Sequence, residues 1–309
     1  MVDAAFPHCN VVHAEPLKEG LRNANFKLQF DREPEFVVLR IYEHDASLCQ
    51  KEVDLLDLIK DSVPTPTVLH AEPVGANGIS PFLFLAYVDG ISFRELKRKE
   101  SADSIAEAAG TVGRVLASIG HTMFSRSGWL GPGPEVGAPL LEGANPAPRF
   151  VDLCLGSANL QRRVAPDLRE RITSLVWSYM DAIASLDAER RLVHGDFGGR
   201  NLLMRRVAGR WEVATVLDWE FAISASPLTD VGHFLRYESY ARPGVEPHFS
   251  QGYLQAGGRL PDDWRRLARV LDLIALCESL THDELPHAVV AELVELIRAT
   301  VENRDPQVE

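Results

Sequence analysis

The stretch "LVHGDFGGRNLLM", Leu192 to Met204, places a carboxylate and a carboxamide five residues apart, at Asp196 and Asn201. Apolar runs lie on both sides of this segment and predict strands, so the polar residues between them are expected on a loop. The loop glycines would allow the backbone to approach a ligand closely. The segment therefore predicts a functional site rather than a simple connection.

The residues after this loop predict a β-hairpin. "NLLM" and "WEVATVLDW" are strand-like and flank "RRVAGR", whose glycine suits a tight turn. Antiparallel pairing about Gly209 and Arg210 would place Asn201 opposite Asp218, with Cα atoms roughly 4.5–5.5 Å apart. Two oxygen ligands are then expected at the open end of the hairpin, with Asp196 on the loop that leads into it.

Oxygen ligands of this kind suit Mg²⁺, which keeps several waters and binds substrate phosphates. A further carboxylate that stays off the metal, Asp196, could orient a hydroxyl group and accept its proton. Phosphoryl transfer to an alcohol requires this division of roles, because positioning and charge neutralisation provide most of the catalysis.

Composition narrows the class of protein. The 309 residues are 46% hydrophobic, enough for a large core, and the net charge of -12 disfavours nucleic acid and anionic membrane surfaces as partners. The chain shows neither an apolar run of about 18 residues nor a signal-like start, so we expect a cytoplasmic protein. The four cysteines are widely separated, which indicates neither a zinc site nor a disulfide framework.

The order of the predicted elements indicates an α+β fold. "EFVVLRIY" predicts a strand, "LCQKEVDLLDLIK" a helix and "PFLFLAYVDG" a second strand, whereas the later chain is mostly amphipathic helix, including "WRRLARVLDLIALCESL" and "HAVVAELVELIRATV". One helical stripe is predicted from Leu168 to Leu186. The segment "SGWLGPGPEVGAPLLEGANPAP" is rich in Gly and Pro and predicts an irregular loop.

"HGDFGGRN", followed seventeen residues after its Asn by "DWE", resembles the aminoglycoside phosphotransferase family of the protein-kinase-like superfamily. The resemblance implies that Asp196 is the catalytic base and that Asn201 and Asp218 hold Mg²⁺. It also implies a bilobal protein-kinase-like α+β fold. Residues 1–88 would form a small β-rich nucleotide-binding lobe, and residues 89–309 a larger, mainly helical lobe for catalysis and acceptor binding.

Other segments are similar to this family in the expected order, from Leu17 to Tyr237. "LKEGLRNANFKL" resembles a nucleotide-covering hairpin, "VLRIY" a strand with a phosphate contact, "KEVDLLDLI" its partner helix, "LAYVDG" a hinge and "DVGHF" a helix that braces the catalytic loop. The implied nucleotide-site residues are Gly20, Asn23, Arg40, Glu52, Ala86, Tyr87 and Val88, and the implied bracing residue is Asp230. Two departures are Glu19, where a second glycine is common, and Arg40, where many relatives have Lys.

The resemblance implies an ATP-dependent kinase that phosphorylates a hydroxyl group of a small acceptor. A cationic acceptor is one alternative, and GTP is an alternative donor. Kinases of choline, homoserine, methylthioribose or macrolides would fit the same core. A catalytically silent nucleotide-binding module and a protein without a nucleotide site are hypotheses of other classes. ADP release and stabilisation by Mg-ATP would separate the three classes.

Several residues have two interpretations. His194 fits a hydrogen-bonded structural residue better than a base. Glu220 could reach a second metal ion or pair with a nearby base, and Arg40 with Glu52 could be an ordinary surface ion pair. A set of late acidic residues could bind a cationic acceptor or form a solvated helical face: Glu278, Asp283, Glu284, Glu292 and Glu295.

Overall fold

An antiparallel sheet occupies the first part of the chain in the computed structural model, which describes residues 1–17, 23–75, 78–139, 141–143, 145–238 and 243–304. Its strands are β1 (Val11–Pro16), β2 (Ala24–Phe30), β3 (Phe36–Ile41), β4 (Val68–Glu72) and β5 (Phe82–Ala86). They pair in the order β1-β2-β3-β5-β4. Short helix α1 (Val2–Ala5) and the longer helix α2 (Ser47–Ile59) belong to the same region.

The two faces of this sheet pack against different partners. Phe82 and Phe84 belong to a small core with residues of α1, whereas Leu83 and Leu85 belong to the main core with α2. This alternation follows from the two-residue period of a strand. Arg40 on β3 lies directly opposite Leu83 in the ladder, so its side chain shares the α2 face. That position places Arg40 next to α2, the helix that carries its predicted partner Glu52.

The later chain is mainly helical. Its helices are α3 (Phe93–Lys99), α4 (Ala102–Ile119), α5 (Pro146–Gly156), α6 (Ala158–Arg163), α7 (Pro166–Ser178), α8 (Met180–Asp187), α9 (Leu228–Leu235), α10 (Glu246–Gln255), α11 (Trp264–Ser279) and α12 (His287–Glu302). The described residues of the same part of the chain contain seven short strands: β6 (Ile91–Ser92), β7 (Gly128–Leu130), β8 (Val136–Ala138), β9 (Arg191–Val193), β10 (Leu202–Val207), β11 (Arg210–Val216) and β12 (Ile223–Ala225). They form two small sheets, with the strand orders β11-β10-β6 and β8-β7-β12-β9. No helix in the described ranges is long and apolar enough to cross a membrane.

Two predictions of local structure are corrected. The segment predicted as an irregular loop contains the paired strands β7 and β8, because short ladders can form between glycine and proline turns. The helix predicted from Leu168 to Leu186 is two helices, α7 and α8, with the break at Tyr179. An apolar stripe can continue across such a break because both helices pack on one core.

The predicted register of the β10–β11 hairpin is wrong by two residues next to the turn, where Val207 faces Arg210, and by one residue at the open end, where Leu202 faces Val216. The turn residues are Ala208 and Gly209, both with positive φ (50° and 84°), as a two-residue hairpin turn requires. An irregularity between Leu203 and Met204 then shifts the pairing. As a result Asn201 lies beside Leu217, whose N–H donates to its carbonyl at 2.8 Å, and Asp218 follows one residue later.

The main core joins the β-rich and helical parts. It extends from the inner face of the first sheet and α2 into the helices of the later chain. Strand β5 ends at Ala86, and the next strand, β6, pairs with β10 rather than with the first sheet. This change of partner supports our proposal that the lobes of 1–88 and 89–309 meet near residue 88.

Candidate active site

The loop between β9 and β10 is held in shape by His194. This side chain is fully buried, its Nε2 lies 2.8 Å from the Leu217 carbonyl, and its Nδ1 accepts the Asp196 N–H at 3.2 Å. Because Nδ1 is an acceptor, the ring proton belongs on Nε2, where it can be donated to Leu217. Both nitrogens are used within the protein, as the structural interpretation of His194 predicts.

Asp230, at the start of α9, is the second support of the loop. Its carboxylate accepts hydrogen bonds from the backbone N–H groups of His194, at 2.7 Å, and Gly195, at 3.0 Å. Burial raises its pKa to about 6, although these hydrogen bonds act in the opposite direction. Asp230 therefore lies where the bracing residue is expected.

Asp196 provides the carboxylate of the loop between β9 and β10. One oxygen, Oδ2, accepts from Nδ2 of Asn201 at 2.8 Å, and the other, Oδ1, lies 3.1 Å from Nε2 of His233. Burial acts to raise the pKa of Asp196, but the hydrogen bonds from His233 and Asn201 contribute to a net value below the ordinary one. The side chain remains 39% exposed, so an ionised carboxylate is open to a ligand.

Asp218 meets the first sheet at the end of β11. Its Oδ1 lies 2.9 Å from Nη2 of Arg40. The backbone of Asp218 is left-handed (φ 68°, ψ 64°), a conformation uncommon outside glycine that recurs at functional sites. The bend turns the chain into a 3₁₀ segment, Trp219–Phe221, and leaves the carboxylate facing the sheet.

Arg40 is the centre of a buried polar cluster. Its Nη1 lies 2.8 Å from both carboxylate oxygens of Glu52 on α2, and its Nε donates to Oδ1 of Asn25 at 3.0 Å. Tyr42 donates its hydroxyl to the same Glu52. Arg40 and Glu52 are only 7% and 2% exposed, so the interpretation as a surface ion pair is wrong. Burial alone would lower the pKa of Arg40, but Glu52 and Asp218 raise it and keep the guanidinium charged.

The sequence of this chain matches the model of the phosphotransferase enzyme family over residues 13–270. The chain belongs to this phosphotransferase family. The match extends beyond the segment from Leu17 to Tyr237 that carries the motifs. A search of curated proteins finds no match to the sequence.

Solved structures of aminoglycoside phosphotransferases share the fold of this phosphotransferase. APH(2")-IIIa in complex with GDP and kanamycin aligns at TM-score 0.71 and 17% identity, over 99% of this chain and 98% of that chain. APH(4)-Ia aligns at TM-score 0.71 and 16% identity, over 97% and 96%. A thermostable APH(4)-Ia mutant in a ternary complex with AMP-PNP and hygromycin B aligns at TM-score 0.66 and 17% identity, over 97% and 96%. The predicted bilobal kinase-like α+β fold is confirmed.

Asn23 and Lys51 connect the phosphotransferase's first sheet and α2 to the segment after Asp218. Nδ2 of Asn23 donates to Oε2 of Glu220 at 2.8 Å, and Nζ of Lys51 donates to the Glu220 carbonyl at 2.7 Å. The carboxylate of Glu220 thus takes part in a contact across the lobes, which favours the structural interpretation of this residue. Gly20, predicted in the nucleotide-covering hairpin, lies outside the described residues.

The predicted hinge of the phosphotransferase follows β5. The Ala86 N–H donates to the Thr67 carbonyl at 2.8 Å, so that amide is already used. In the described part of the chain, the amides of Tyr87 and Val88 have no hydrogen-bond partner. Of the three predicted nucleotide-site residues in the hinge, the last two therefore retain backbone donors for a ligand.

Four of the five late acidic residues of the phosphotransferase have polar neighbours within the protein. Glu278 lies 3.4 Å from His282, Asp283 accepts from Asn159 at 2.8 Å, and Glu295 lies 2.9 Å from Arg304. Glu292 forms a side-chain hydrogen bond with Tyr237, and Glu284 is exposed. These contacts favour a partly paired, solvated acidic surface over a single carboxylate cluster.

Sequence reasoning missed two side chains of this site, His233 and Lys51. His233 is three residues after Asp230 on the predicted helix "DVGHF", so helical spacing places both on one face. The sequence could therefore have predicted His233 near the loop, because the face of α9 that carries Asp230 must pack against the loop if Asp230 braces it. No sequence pattern predicts a role for Lys51, because the resemblance assigns the function of this helix to its neighbour Glu52.

Proposed function

We propose that this phosphotransferase transfers the γ-phosphoryl group of ATP to a hydroxyl group of a small molecule. The observation that carries the proposal is the position of Asp196, an exposed, hydrogen-bonded carboxylate on a loop that also brings Asn201 close to Asp218. Arg40 and Glu52 complete the set from the first sheet and α2. The site thus combines a base, two oxygen ligands and a fixed cation.

Asp196 is suited to act as the general base. Its pKa below the ordinary aspartate value keeps it ionised at neutral pH, and each carboxylate oxygen can accept more than one hydrogen bond. An acceptor hydroxyl could therefore bind to Asp196 without displacing Asn201. The carboxylate would orient this hydroxyl toward the phosphoryl group and accept its proton.

Asn201 and Asp218 fit as ligands of Mg²⁺. Asn201 uses its Nδ2 on Asp196, so its amide oxygen has no described partner and remains available to a cation. Asp218 offers carboxylate oxygens, of which Oδ1 contacts Arg40. Hard oxygen donors of this type are the ligands Mg²⁺ prefers, together with phosphates and water. When bound, the metal would neutralise charge on the phosphates.

Arg40 is suited to bind a phosphate of the nucleotide. Glu52 and Asn25 fix its guanidinium through Nη1 and Nε, which leaves Nη2 directed at Asp218 on the side of the proposed metal site. A planar guanidinium held in this way can donate to phosphate oxygens without further ordering. The free amides of Tyr87 and Val88 would provide the contacts to the base of the nucleotide.

For the acceptor we propose a small hydroxyl-bearing compound, with a cationic one favoured by the net charge of -12. The structural neighbours include complexes with kanamycin and with hygromycin B, which supports testing aminoglycosides first. Choline, homoserine, methylthioribose and macrolides belong in the same panel. The donor should be varied as well, because neighbours were solved with GDP and with AMP-PNP.

The test is Mg²⁺-dependent release of ADP or GDP by the purified protein across this panel. Asp196→Asn should keep nucleotide binding and lose turnover by roughly 10²–10⁴-fold, since it removes the base. Asp218→Asn should weaken Mg²⁺-dependent nucleotide binding as well. Asp262→Asn, at an exposed residue outside the site, is the matched control and should behave like the wild type.

The outcomes separate the hypotheses. Acceptor-stimulated release that Asp196→Asn abolishes would support the kinase and identify its acceptor class. Binding of Mg-ATP without turnover, equal in wild type and Asp196→Asn, would favour a silent nucleotide-binding module. Absence of any stabilisation by either nucleotide with Mg²⁺ would contradict the proposal.

A further inference from the structure

The carboxylate of Asp196 is held from two different elements. Asn201, on the same loop, donates to Oδ2 at 2.8 Å, and His233, on α9, lies with Nε2 3.1 Å from Oδ1. A carboxylate with one donor on each oxygen has a fixed plane. His233 therefore fixes the direction of Oδ1, whereas the contact within the loop fixes only Oδ2.

Arg236 fixes which nitrogen of His233 carries the proton. Nη2 of Arg236 lies 3.4 Å from Nδ1 of His233. A guanidinium can only donate, so Nδ1 must accept and the ring proton of neutral His233 must lie on Nε2. The proton is thus placed on the nitrogen that faces Asp196.

Arg236 is itself held by Asp272 on α11. Nε and Nη2 of Arg236 donate to the two oxygens of Asp272 at 2.9 and 2.6 Å, and both side chains are largely buried. Such a bidentate pair leaves the guanidinium little freedom. The helices reach this distance because Gly232 packs against α11, where a Cβ would lie 2.2 Å from the Ala268 carbonyl.

His233 also approaches the loop closely at a glycine. A Cβ at Gly198 would lie 3.4 Å from Nε2 of His233, which is an ordinary van der Waals distance, so the loop backbone lies close to the ring. The charged and titratable groups around the contact are His194 on the loop, Asp230 on α9, Arg236 immediately after α9, and Asp272 on α11. His194 and Asp230 bond the loop backbone, whereas the other two hold His233.

We infer that His233 is a positioning residue for the base of this phosphotransferase, held as the Nε2–H form by Arg236 and Asp272 so that it directs the carboxylate of Asp196 toward the acceptor hydroxyl. The inference rests on the proposed function of Asp196. His233 does not act as the base itself, because Nε2 carries a proton and Nδ1 faces a permanent cation. It thus acts through Asp196 rather than on the substrate.

The kinetic test compares His233→Ala and His233→Gln with the wild type, using ADP release with the acceptor that the panel identifies. The amide of Gln can replace the Nε2 donor, whereas Ala cannot. Loss of a hydrogen bond to a charged group predicts a fall in kcat of about 10- to 100-fold for His233→Ala, with KM for ATP unchanged and most of kcat restored in His233→Gln. His248→Ala, at an exposed histidine on α10, is the matched control.

A second measurement, ¹⁵N NMR of histidine-labelled protein without ligand, tests the geometry independently of activity. The signal lost in His233→Gln belongs to His233, and we expect its Nε2 to be protonated and its Nδ1 unprotonated. A proton on Nδ1 would overturn the inference whatever the activity, as would equal kcat in His233→Ala and wild type. If both His233 variants lose kcat equally while remaining folded, positioning by a donor is wrong. An inactive wild type with the expected NMR signal would count against the proposed function alone.

Discussion

Nη2 of Arg40 lies 2.9 Å from Oδ1 of Asp218, so the predicted phosphate contact and the predicted metal ligand form an ion pair without ligand. A metal-bound nucleotide would place a cation at Asp218 and phosphates at Arg40. Asp218 would then contact the metal cation instead of Arg40, and Arg40 would contact the phosphates instead of Asp218. Binding of a nucleotide at the proposed site would thus replace this contact without leaving either charge unpaired.

Arg40→Lys should weaken nucleotide binding while leaving the protein folded. An ammonium group cannot reproduce a planar fork that serves Glu52, Asn25 and Asp218 from three different nitrogens. We expect the dissociation constant of Mg-ATP to increase about tenfold, equivalent to one lost charge-assisted hydrogen bond of about 1.4 kcal/mol. Isothermal titration calorimetry measures this, and an unchanged constant would remove Arg40 from the nucleotide site.

Arg40→Met should destabilise the protein strongly because it leaves Glu52 buried and unpaired. The expected loss in free energy of unfolding is about 3–5 kcal/mol. The double variant Arg40→Met with Glu52→Gln removes both charges, so it should be less destabilised than Arg40→Met alone. Urea unfolding of the wild type, Arg40→Met, Glu52→Gln and the double variant checks the order. If the loss in the double variant equals the sum of the two single losses, the charges act independently.

Asn23 and Glu220 should be energetically coupled although 197 residues separate them. A double-mutant cycle with Asn23→Ala and Glu220→Ala isolates the hydrogen bond across the lobes, for which we expect a coupling energy of about 1–2 kcal/mol. The exposed pair Glu95 and Lys99 on α3 provides a control cycle, with an expected value of about 0.3–0.5 kcal/mol. Equal coupling energies in the two cycles would mean that the contact does not hold the lobes together.

The parts of the site that depend on local sequence could be predicted, whereas contacts between distant elements could not. Asp196 and Asn201 share one loop, and Arg40 with Glu52 follows from a strand and the next helix. The hairpin register was wrong because the turn lies at Ala208–Gly209 and an irregularity follows, features set by packing as much as by residue type. The bond from Asn23 to Glu220 depends on how the two lobes meet, which no residue pattern shows.

Asp230 should make the stability of the protein depend on pH. Its pKa in the folded protein is about 6, above the ordinary value of 3.8, so between pH 4 and 6 the folded state binds the proton and the unfolded state does not. The contribution of Asp230 is therefore complete below pH 4 and decreases as the pH rises through 6, by up to about 3 kcal/mol.

Urea unfolding of wild type and Asp230→Asn between pH 4 and 7 measures this contribution. Asn cannot be ionised, so the difference in unfolding free energy between the two proteins should shrink as the pH rises. The remaining titratable groups are common to both and cancel. A difference that stays constant, or grows with pH, would show that the folded pKa of Asp230 is not raised.

Gly232→Ala should separate α9 from α11 and thereby disturb the catalytic loop. Its Cβ would lie 2.2 Å from the Ala268 carbonyl and 3.1 Å from Cβ of Asp272, so one helix must move. Overpacking of this kind costs about 1–3 kcal/mol, and because α9 carries Asp230 and His233, turnover should fall together with stability. Gly156→Ala is the matched control, since a Cβ there meets no atom within 4 Å. Thermal unfolding and ADP release of both variants check the expectation, and a Gly232→Ala protein as stable and active as Gly156→Ala would show that the contact between α9 and α11 does not position the loop.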